Sequence, residues 1–237
     1  MVNRSPKLDA FGASWLRRYA AHPMPFTLQQ LVGCRPFLYH LTASANLSGI
    51  AESLRLQCAN SLLAEAGWLH KSTVRRREHL AVPRSGRTTH LRDQAPLIEG
   101  AIDFEEGWDL ARFVHHVNQH VFFWPGRLSG PISPGLNHFE RYRSEAPAML
   151  RLPTTALLES TLNFSRYNSG APRCSGGKYS PRGARTYLPA SEFVGTASEV
   201  VEVVAIGACS LPRSVEVSLS PTGPWRPLLS ALTPRSS

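Results

Sequence analysis

Two polar side chains close a short apolar strand near the start of the chain. The run 37–41 is typical of a strand, with His40 near its end and Thr42 directly after it. Side chains two positions apart in a strand face the same way, so the imidazole and the hydroxyl can line one pocket. Such a pair can hold ribose hydroxyls or an amide through directional hydrogen bonds. The alternative is that His40 is a hydrogen-bonded strand-end residue and that Thr42 helps to cap the next helix.

A second candidate lies near the other end of the chain, in a β-branched strand predicted over 198–206. This strand carries Glu199 and Glu202, which face opposite sides if the strand is regular. A carboxylate inside a strand that otherwise favours burial needs a partner or a cleft. A carboxylate that accepts a hydrogen bond from a ribose 2′-hydroxyl can stabilise the positive charge that develops as an N-glycosidic bond breaks. The alternative is that both glutamates pair with surface arginines on an edge strand.

The least regular region, 160–191, has five basic residues and no acidic one. Its glycines let backbone N–H groups approach phosphate oxygens, and its arginines can add bidentate contacts. Tyr167 and Tyr179 can stack on a base or a nicotinamide ring. The alternative is a surface loop whose charge only aids solubility.

Three histidines leave a metal-dependent hydrolase open as a further alternative. His116 and His120 are spaced like metal ligands on a helix, with His115 beside them, but no glutamate completes the H-E-x-x-H pattern. A pair on a helix surface is therefore favoured, and no metal is expected.

Composition limits the class of protein. The chain has 237 residues, 42% of them hydrophobic and 18% charged, which indicates a folded globular protein. Its net charge of +9 favours a polyanionic partner such as DNA or RNA, although an uncommitted basic surface is the alternative. There is no apolar run long enough to span a membrane, no N-terminal apolar signal segment and no Cys-x-x-Cys pair. We therefore expect a cytoplasmic protein without a membrane partner.

The elements that would position these residues indicate an α+β fold, in one domain over residues 1–220. Helices are expected over 1–33, and further strands near 121–124, 148–152 and 215–219. An insertion over 71–109 combines a basic hairpin with an acidic stretch. The Pro-rich tail, 221–237, is expected to fray. No G-x-G-x-x-G or P-loop motif is present, which argues against a Rossmann fold.

The order and spacing of these motifs resemble those of the DNA-targeting ADP-ribosyltransferase toxins of the DarT type. The motifs are His40-x-Thr42 before a helix, the run Val121-Phe122-Phe123-Trp124-Pro125, and Glu202-Val203-Val204. The resemblance implies an ADP-ribosyltransferase fold, in which a split mixed or antiparallel sheet has flanking helices. It also implies that NAD is the substrate and that ADP-ribose passes to a macromolecule, possibly nucleic acid, without a metal.

The resemblance implies roles for two groups of residues. The catalytic residues that it implies are His40 and Glu202, with Glu199 as the alternative carboxylate. The residues that it implies for NAD binding are His40, Leu41, Thr42, Phe123, Arg127, Arg173 and Tyr179. In these roles the segment 40–42 orients the nicotinamide ribose, Phe123 or Tyr179 stacks on the nicotinamide, and Arg127 or Arg173 holds the pyrophosphate.

Over most of its length the chain more closely resembles a bacterial domain family of unknown function. The motifs that carry this resemblance are Arg92-Asp93-Gln94-Ala95-Pro96-Leu97, Phe122-Phe123-Trp124-Pro125-Gly126 and Arg166-Tyr167-Asn168-Ser169-Gly170. The acceptor is left open, since 71–109 has no clear counterpart in the toxins. Two other functions also stay open. They are NAD hydrolysis with water as the acceptor, and a non-catalytic nucleic-acid-binding module that uses the basic segments 71–92 and 166–185.

Overall fold

A computed structural model describes residues 26–84, 86–168 and 181–231 of the chain. Its helices are α1 (Leu28–Cys34), α2 (Leu47–Ser53), α3 (Ala59–Glu65), α4 (Leu110–Asn118), α5 (Ser133–Arg141) and α6 (Leu228–Ala231). Of the helices expected over 1–33, α1 is present, and a capping box between Thr27 and Gln30 fixes its start. The expected helix before it lies outside the described residues, as do Arg173 and Tyr179. None of the helices in this part of the chain has the length and apolar character needed to cross a bilayer.

Short 3-10 helices connect several of these elements. They are Ser44–Asn46, Leu69–Thr73, Glu99–Ala101, Arg143–Glu145, Thr154–Leu157, Ala184–Thr186 and Ala197–Glu199. The strands are β1 (Phe37–Ala43), β2 (Arg55–Gln57), β3 (Leu80–Arg84), β4 (Arg87–Leu91), β5 (His120–Arg127), β6 (Gly130–Pro131), β7 (Pro147–Pro153), β8 (Leu162–Ser165), β9 (Leu188–Pro189), β10 (Glu202–Ile206), β11 (Ala208–Ser210), β12 (Glu216–Ser218) and β13 (Arg226–Pro227).

The strands form one large sheet and two small ribbons, and every pairing between them is antiparallel. The order in the large sheet is β13-β12-β7-β1-β5-β10-β8-β9, with β6 beside β5. β2 pairs with β11, and β3 pairs with β4 as the predicted hairpin. The predicted α+β class is therefore confirmed.

The large sheet divides at β5, which changes its partner along its length. The first half of β5 pairs with β10, where Phe123 lies opposite Val203. The second half pairs with β1, where Trp124 lies opposite Tyr39. Beyond Tyr39, β1 continues in register with β7 alone among the described strands. Strands β1 and β5 therefore separate at His40, and space is left between them.

Two apolar clusters lie on the two faces of the sheet. Successive residues of the central strands alternate between them, as the two-residue period of a strand requires. The larger cluster includes Leu38, Phe123 and Leu150, and the smaller one includes Tyr39 and Trp124. The positions of the central strands are therefore fixed on both faces, and this anchors the residues beside the gap.

The described part of the tail is folded, which corrects the prediction that the chain frays from residue 221. Leu228 is fully buried in the larger cluster, and β13 pairs with β12. The buried guanidinium of Arg151 donates to the Glu216 carboxylate, with 2.5 Å between Nη2 and Oε2, and it stacks over the Trp225 ring at 4.4 Å. These contacts hold the tail against β7.

Candidate active site

A cavity of about 490 Å³ lies beside the gap between β1 and β5. Residues from distant parts of the sequence line it, including four of the predicted site residues: His40, Leu41, Thr42 and Glu202. The first half of β5, the β3–β4 hairpin, α2 and α3 supply much of the remaining wall. The structure therefore brings the two predicted polar segments, 40–42 and Glu202, into one site.

His40 lies where β1 leaves β5. Its Nδ1–H donates to the carbonyl oxygen of Phe122, with 2.9 Å between nitrogen and oxygen. Because a carbonyl can only accept, Nδ1 carries the proton and Nε2 is left as an acceptor. Burial lowers the pKa of His40 to about 4, so the ring is neutral at pH 7. The side chain therefore offers a fixed, uncharged acceptor to the cavity that it lines.

Thr42 is held from two directions. Its Oγ1 accepts a hydrogen bond from Asn46 Nδ2 at 3.0 Å, so the hydroxyl proton remains for another acceptor. Its carbonyl oxygen accepts from Arg92 Nη2 at 2.9 Å. Leu41, between the two polar residues, belongs to the smaller apolar cluster and also lines the cavity.

The structure separates the two candidate glutamates. Glu202 is the first residue of β10, has 2% of its surface exposed and lines the cavity. Since Val203 lies opposite Phe123 and Tyr39 opposite Trp124, Glu202 and His40 lie on opposite sides of β5. What joins the two residues is the cavity, which both of them line.

Glu199, the predicted alternative to Glu202, does not line the cavity, so the structure does not bring it together with His40. It lies in the 3-10 helix Ala197–Glu199, so the predicted strand begins at Glu202 and not at residue 198. Its carboxylate accepts from the backbone N–H of Thr196 at 2.7 Å and pairs with Arg166. The backbone N–H and hydroxyl of Thr196, together with Arg166, lower the pKa of Glu199. With 41% of its side chain exposed, Glu199 caps a surface helix.

Of the two adjacent phenylalanines in β5, Phe122 lines the cavity and the predicted Phe123 does not. Phe123 is fully buried in the larger apolar cluster, because alternate residues of β5 face opposite sides of the sheet. Phe122 is partly exposed and lines the cavity, as does Trp124. A ligand ring can therefore meet Phe122 or Trp124, whereas Phe123 is enclosed by other side chains.

Arg127, a predicted pyrophosphate ligand, does not line the cavity, so the structure does not bring it together with the segment 40–42. It is exposed at the far end of β5, five residues and about 17 Å from Phe122. Its backbone carbonyl accepts a hydrogen bond from the Tyr39 hydroxyl. The arginines that do line the cavity were not predicted as site residues: Arg55, Arg76, Arg84, Arg87 and Arg92. Only three acidic residues, Glu52, Asp93 and Glu202, accompany them in the lining.

The β3–β4 hairpin brings part of this positive charge to the cavity. Its backbone is attached to the 3-10 helix before α2, because Asn46 Nδ2 donates to the His90 carbonyl at 3.0 Å and Asn46 Oδ1 accepts from the His90 N–H at 2.8 Å. Arg84 pairs with Glu65 at 2.7 Å and Arg87 with Glu52 at 2.6 Å. The predicted insertion is thus one wall of the site.

Three further histidines, His90, His120 and His138, line the cavity, and burial lowers the pKa of His120 and of His138 to about 4. His120 Nδ1–H donates to the His116 carbonyl at 2.8 Å, and its ring lies against Tyr187. Within the described ranges, no three side chains among the histidines, cysteines and acids come together as ligands for a metal ion. The histidine cluster at 115–120 therefore packs as an aromatic and hydrogen-bonded group.

These neutral histidines predict a pH dependence of stability. The unfolded histidines take up protons near pH 6.5, whereas the folded His40, His120 and His138 take them up only near pH 4. Their contribution is complete above pH 6.5 and is lost as the pH falls towards 4, at up to about 1.4 kcal/mol per pH unit for each histidine. Urea unfolding at pH 7.5, 6.0 and 5.0 measures this slope, and His138→Gln should reduce it. Equal stability at the three pH values would contradict the prediction.

Comparison with known proteins identifies a family but no activity. No curated protein and no solved structure matches the chain. A family model described as a family of unknown function (DUF7002) matches residues 36–216, which include His40, Phe122, Glu202 and the hairpin wall. The predicted resemblance to a domain family of unknown function is thereby confirmed. The match covers most of the chain and all the described elements from β1 to β11, and the chain belongs to the DUF7002 family.

Proposed function

We propose that this protein cleaves NAD between nicotinamide and ribose and transfers ADP-ribose to a macromolecular acceptor. The observation that carries the proposal is the placement of a neutral His40 and a buried Glu202 on either side of β5, in one cavity. The volume of this cavity lies within the range of small-molecule sites. Its excess of arginines over acids suits a ligand with two phosphates.

His40 and Thr42 would hold the nicotinamide ribose. Because Nδ1 of His40 is used on the Phe122 carbonyl, Nε2 would accept a hydrogen bond from a ribose hydroxyl. The Thr42 hydroxyl already accepts from Asn46, so it would donate its own proton to the ligand. Phe122, at the wall beside His40, would pack on the nicotinamide ring. His40 would therefore act as an acceptor and Thr42 as a donor towards the ligand, because their other hydrogen bonds are made within the protein.

Glu202 would supply the electrostatic stabilisation of the reaction. Its carboxylate would accept a hydrogen bond from the ribose 2′-hydroxyl and lower the energy of the oxocarbenium-like state. The bond between C1′ and the nicotinamide nitrogen breaks, and the bonding pair leaves with neutral nicotinamide. An oxygen or nitrogen of the acceptor then bonds to C1′, and the proton that it loses passes to Glu202. No oxidant or reductant is needed.

The divided sheet supports the resemblance to the ADP-ribosyltransferase toxins. β5 changes partner from β10 to β1, and the two predicted polar segments flank the point of change. This is the kind of split-sheet cleft that the resemblance implies. The DarT-like fold and activity are part of the proposal, together with nucleic acid as one possible class of acceptor.

The non-catalytic alternative has less support from the contacts of the basic segment 71–92. Arg75 donates to the carbonyls of Gln94 and Ala95, and Arg76 donates to the carbonyl of Arg92. Both side chains already bond to carbonyl oxygens of residues 92–95, so fewer of their N–H groups are left for a nucleic acid than in an exposed arginine cluster.

Nicotinamide release from NAD tests the proposal. We expect the purified protein to release nicotinamide, and one of three additives (single-stranded DNA, tRNA or cell lysate) to gain ADP-ribose in proportion. Mass spectrometry of the additive identifies the adduct. Release with ADP-ribose left free in solution would replace the transferase by an NAD hydrolase. Absence of both release and calorimetric NAD binding would refute the proposal.

A further inference from the structure

We infer that Arg76 and Arg92 form an anion-binding site in the wall of the cavity and hold the pyrophosphate of NAD. The identity of the ligand rests on the proposed function, whereas the anion site rests on the contacts of the two arginines. Both residues line the cavity, and both come from the predicted insertion. They would replace the arginines that the resemblance implied for this role.

A buried polar network positions Arg76. Its Nη1 donates to Asn118 Oδ1 at 2.9 Å and its Nε to the Arg92 carbonyl at 3.0 Å. Asn118 is itself fixed, because its Nδ2 donates to the Ser72 carbonyl at 2.7 Å and its Oδ1 also accepts from Gln94 Nε2 at 3.1 Å. Asn118 and Gln94 have 2% and 7% of their surfaces exposed. A supporting layer of this kind holds a binding residue in one geometry.

Arg92 lies beside the predicted ribose site. Its Nη2 donates to the carbonyl of Thr42 at 2.9 Å, and its guanidinium stacks over the Tyr142 ring at 4.4 Å. The backbone of Arg76 is also bonded to Gln94, two residues after Arg92, since Gln94 N–H donates to the Arg76 carbonyl at 2.7 Å and Gln94 Oε1 accepts from the Arg76 N–H at 3.1 Å. The positions of Arg76 and Arg92 are therefore coupled.

The charge of this pair is only partly compensated within the described residues, because burial lowers the pKa of both arginines by more than the Asp93 carboxylate, and for Arg92 also Glu145, raises it. Arg76 forms no ion pair there, and both of its side-chain acceptors are neutral oxygens. The nearest carboxylate of Arg92 is Glu145, 4.0 Å from Nη1, and that carboxylate also bonds to His79. Asp93 is engaged with His79 at 3.2 Å and with the Ala95 N–H at 2.8 Å. Partial burial of guanidinium groups without close counter-charges is costly, and a bound anion would offset that cost.

The remaining donors of the pair are suited to a phosphate group. Nη2 of Arg76 and Nη1 of Arg92 have no hydrogen-bond partner among the described residues. Arginine presents paired N–H groups that match the oxygens of a phosphate. The pyrophosphate of NAD is attached to C5′ of the same ribose that the segment 40–42 would hold. It would therefore lie next to that ribose, on the side of Thr42 where Arg92 bonds to the Thr42 carbonyl. This placement favours the dinucleotide over the phosphate backbone of a nucleic acid.

Calorimetry with ADP-ribose as the probe tests the assignment. We expect Arg76→Gln and Arg92→Gln each to weaken ADP-ribose binding by about 10- to 100-fold, the usual effect of losing hydrogen bonds to a charged group. Arg143→Gln is the matched control, because it makes the same chemical change at an exposed arginine that pairs with Glu140 at 2.8 Å and does not line the cavity. It should change the affinity by less than about 3-fold. Binding of nicotinamide riboside, which lacks the pyrophosphate, should be equal in Arg76→Gln, the control variant and the unaltered protein.

Two further measurements distinguish a failure of the anion site from a failure of the proposed function. Inorganic pyrophosphate should compete with ADP-ribose on the unaltered protein, a test that does not depend on the folding of a variant. Pyrophosphate binding that both Arg→Gln variants lose, in a protein that binds no NAD, would leave the anion site standing and refute the proposed function. Unchanged ADP-ribose affinity in both folded variants, or loss of single-stranded DNA binding alone, would overturn the pyrophosphate assignment.

Discussion

Replacing Glu202 by glutamine is expected to lower nicotinamide release from NAD by about 100- to 1000-fold, the usual effect of removing one electrostatic group from a reaction centre. The amide has nearly the shape of the carboxylate but carries no negative charge to stabilise the oxocarbenium-like state. NAD affinity should change only a few-fold, because the arginines and the segment 40–42 remain. Initial rates of nicotinamide release, together with calorimetric titration of NAD, separate the effect on chemistry from the effect on binding.

Glu199→Gln is the matched control for this experiment. It makes the same chemical change three residues earlier, at an exposed carboxylate that pairs with Arg166 and caps the 3-10 helix Ala197–Glu199. Nicotinamide release should stay within about 2-fold of that of the unaltered protein, as for most surface substitutions. Equal losses in the two variants, or full activity in folded Glu202→Gln, would remove Glu202 from the reaction.

The second large effect concerns the pair of adjacent phenylalanines in β5. Phe123→Ala should lower the free energy of unfolding by about 3–5 kcal/mol, because a fully buried ring is lost from the larger apolar cluster. Phe122→Ala should lower it by less than half as much, since this ring is partly exposed to the cavity. Urea unfolding at pH 7.5 measures both values.

Ligand binding should show the opposite order. Phe122→Ala should weaken NAD binding by about 10-fold, the value of a lost aromatic contact, whereas folded Phe123→Ala should bind NAD nearly normally. Measuring both properties on both variants tests the orientation of β5 without reference to catalysis. A larger stability loss at Phe122, or a larger affinity loss at Phe123, would show that the strand faces the other way.

Local sequence signals were sufficient for most elements and for one end of the site. The apolar runs at 37–41 and 121–124 predicted β1 and β5 near their observed positions. The predicted start of β10 at residue 198 was wrong, because the β-branched run was given more weight than the helix-start signal beside it. Thr196 and Glu199 have the spacing of a capping box, and in the structure they form one. A capping box at these two positions indicates a helix that starts after Thr196, with the Glu199 carboxylate bonded at its surface.

Other residues of the site had no local signal. An apolar run such as 121–124, buried on both faces, does not show which ring faces a cavity, because that depends on the pairing of β5 with β1 and β10. Arg92 reaches Thr42 across 50 positions in the sequence, and Arg76 reaches Asn118 across 42. Such contacts follow from how the insertion folds back over α2 and α3, which composition and spacing do not specify.

The bond between His40 and the Phe122 carbonyl limits how an inactive form of this protein can be made. The pairing of β1 with β5 ends at Tyr39, and beyond that point the His40 imidazole, a side chain, donates to the carbonyl of β5. Loss of that ring would leave the carbonyl without its donor and shift the strand that carries Phe122. A loss of activity in a His40 variant would therefore have two causes that the assay does not separate: the missing imidazole and the displaced cavity wall at Phe122. A catalytically silent protein for trapping the acceptor is better made at residue 202.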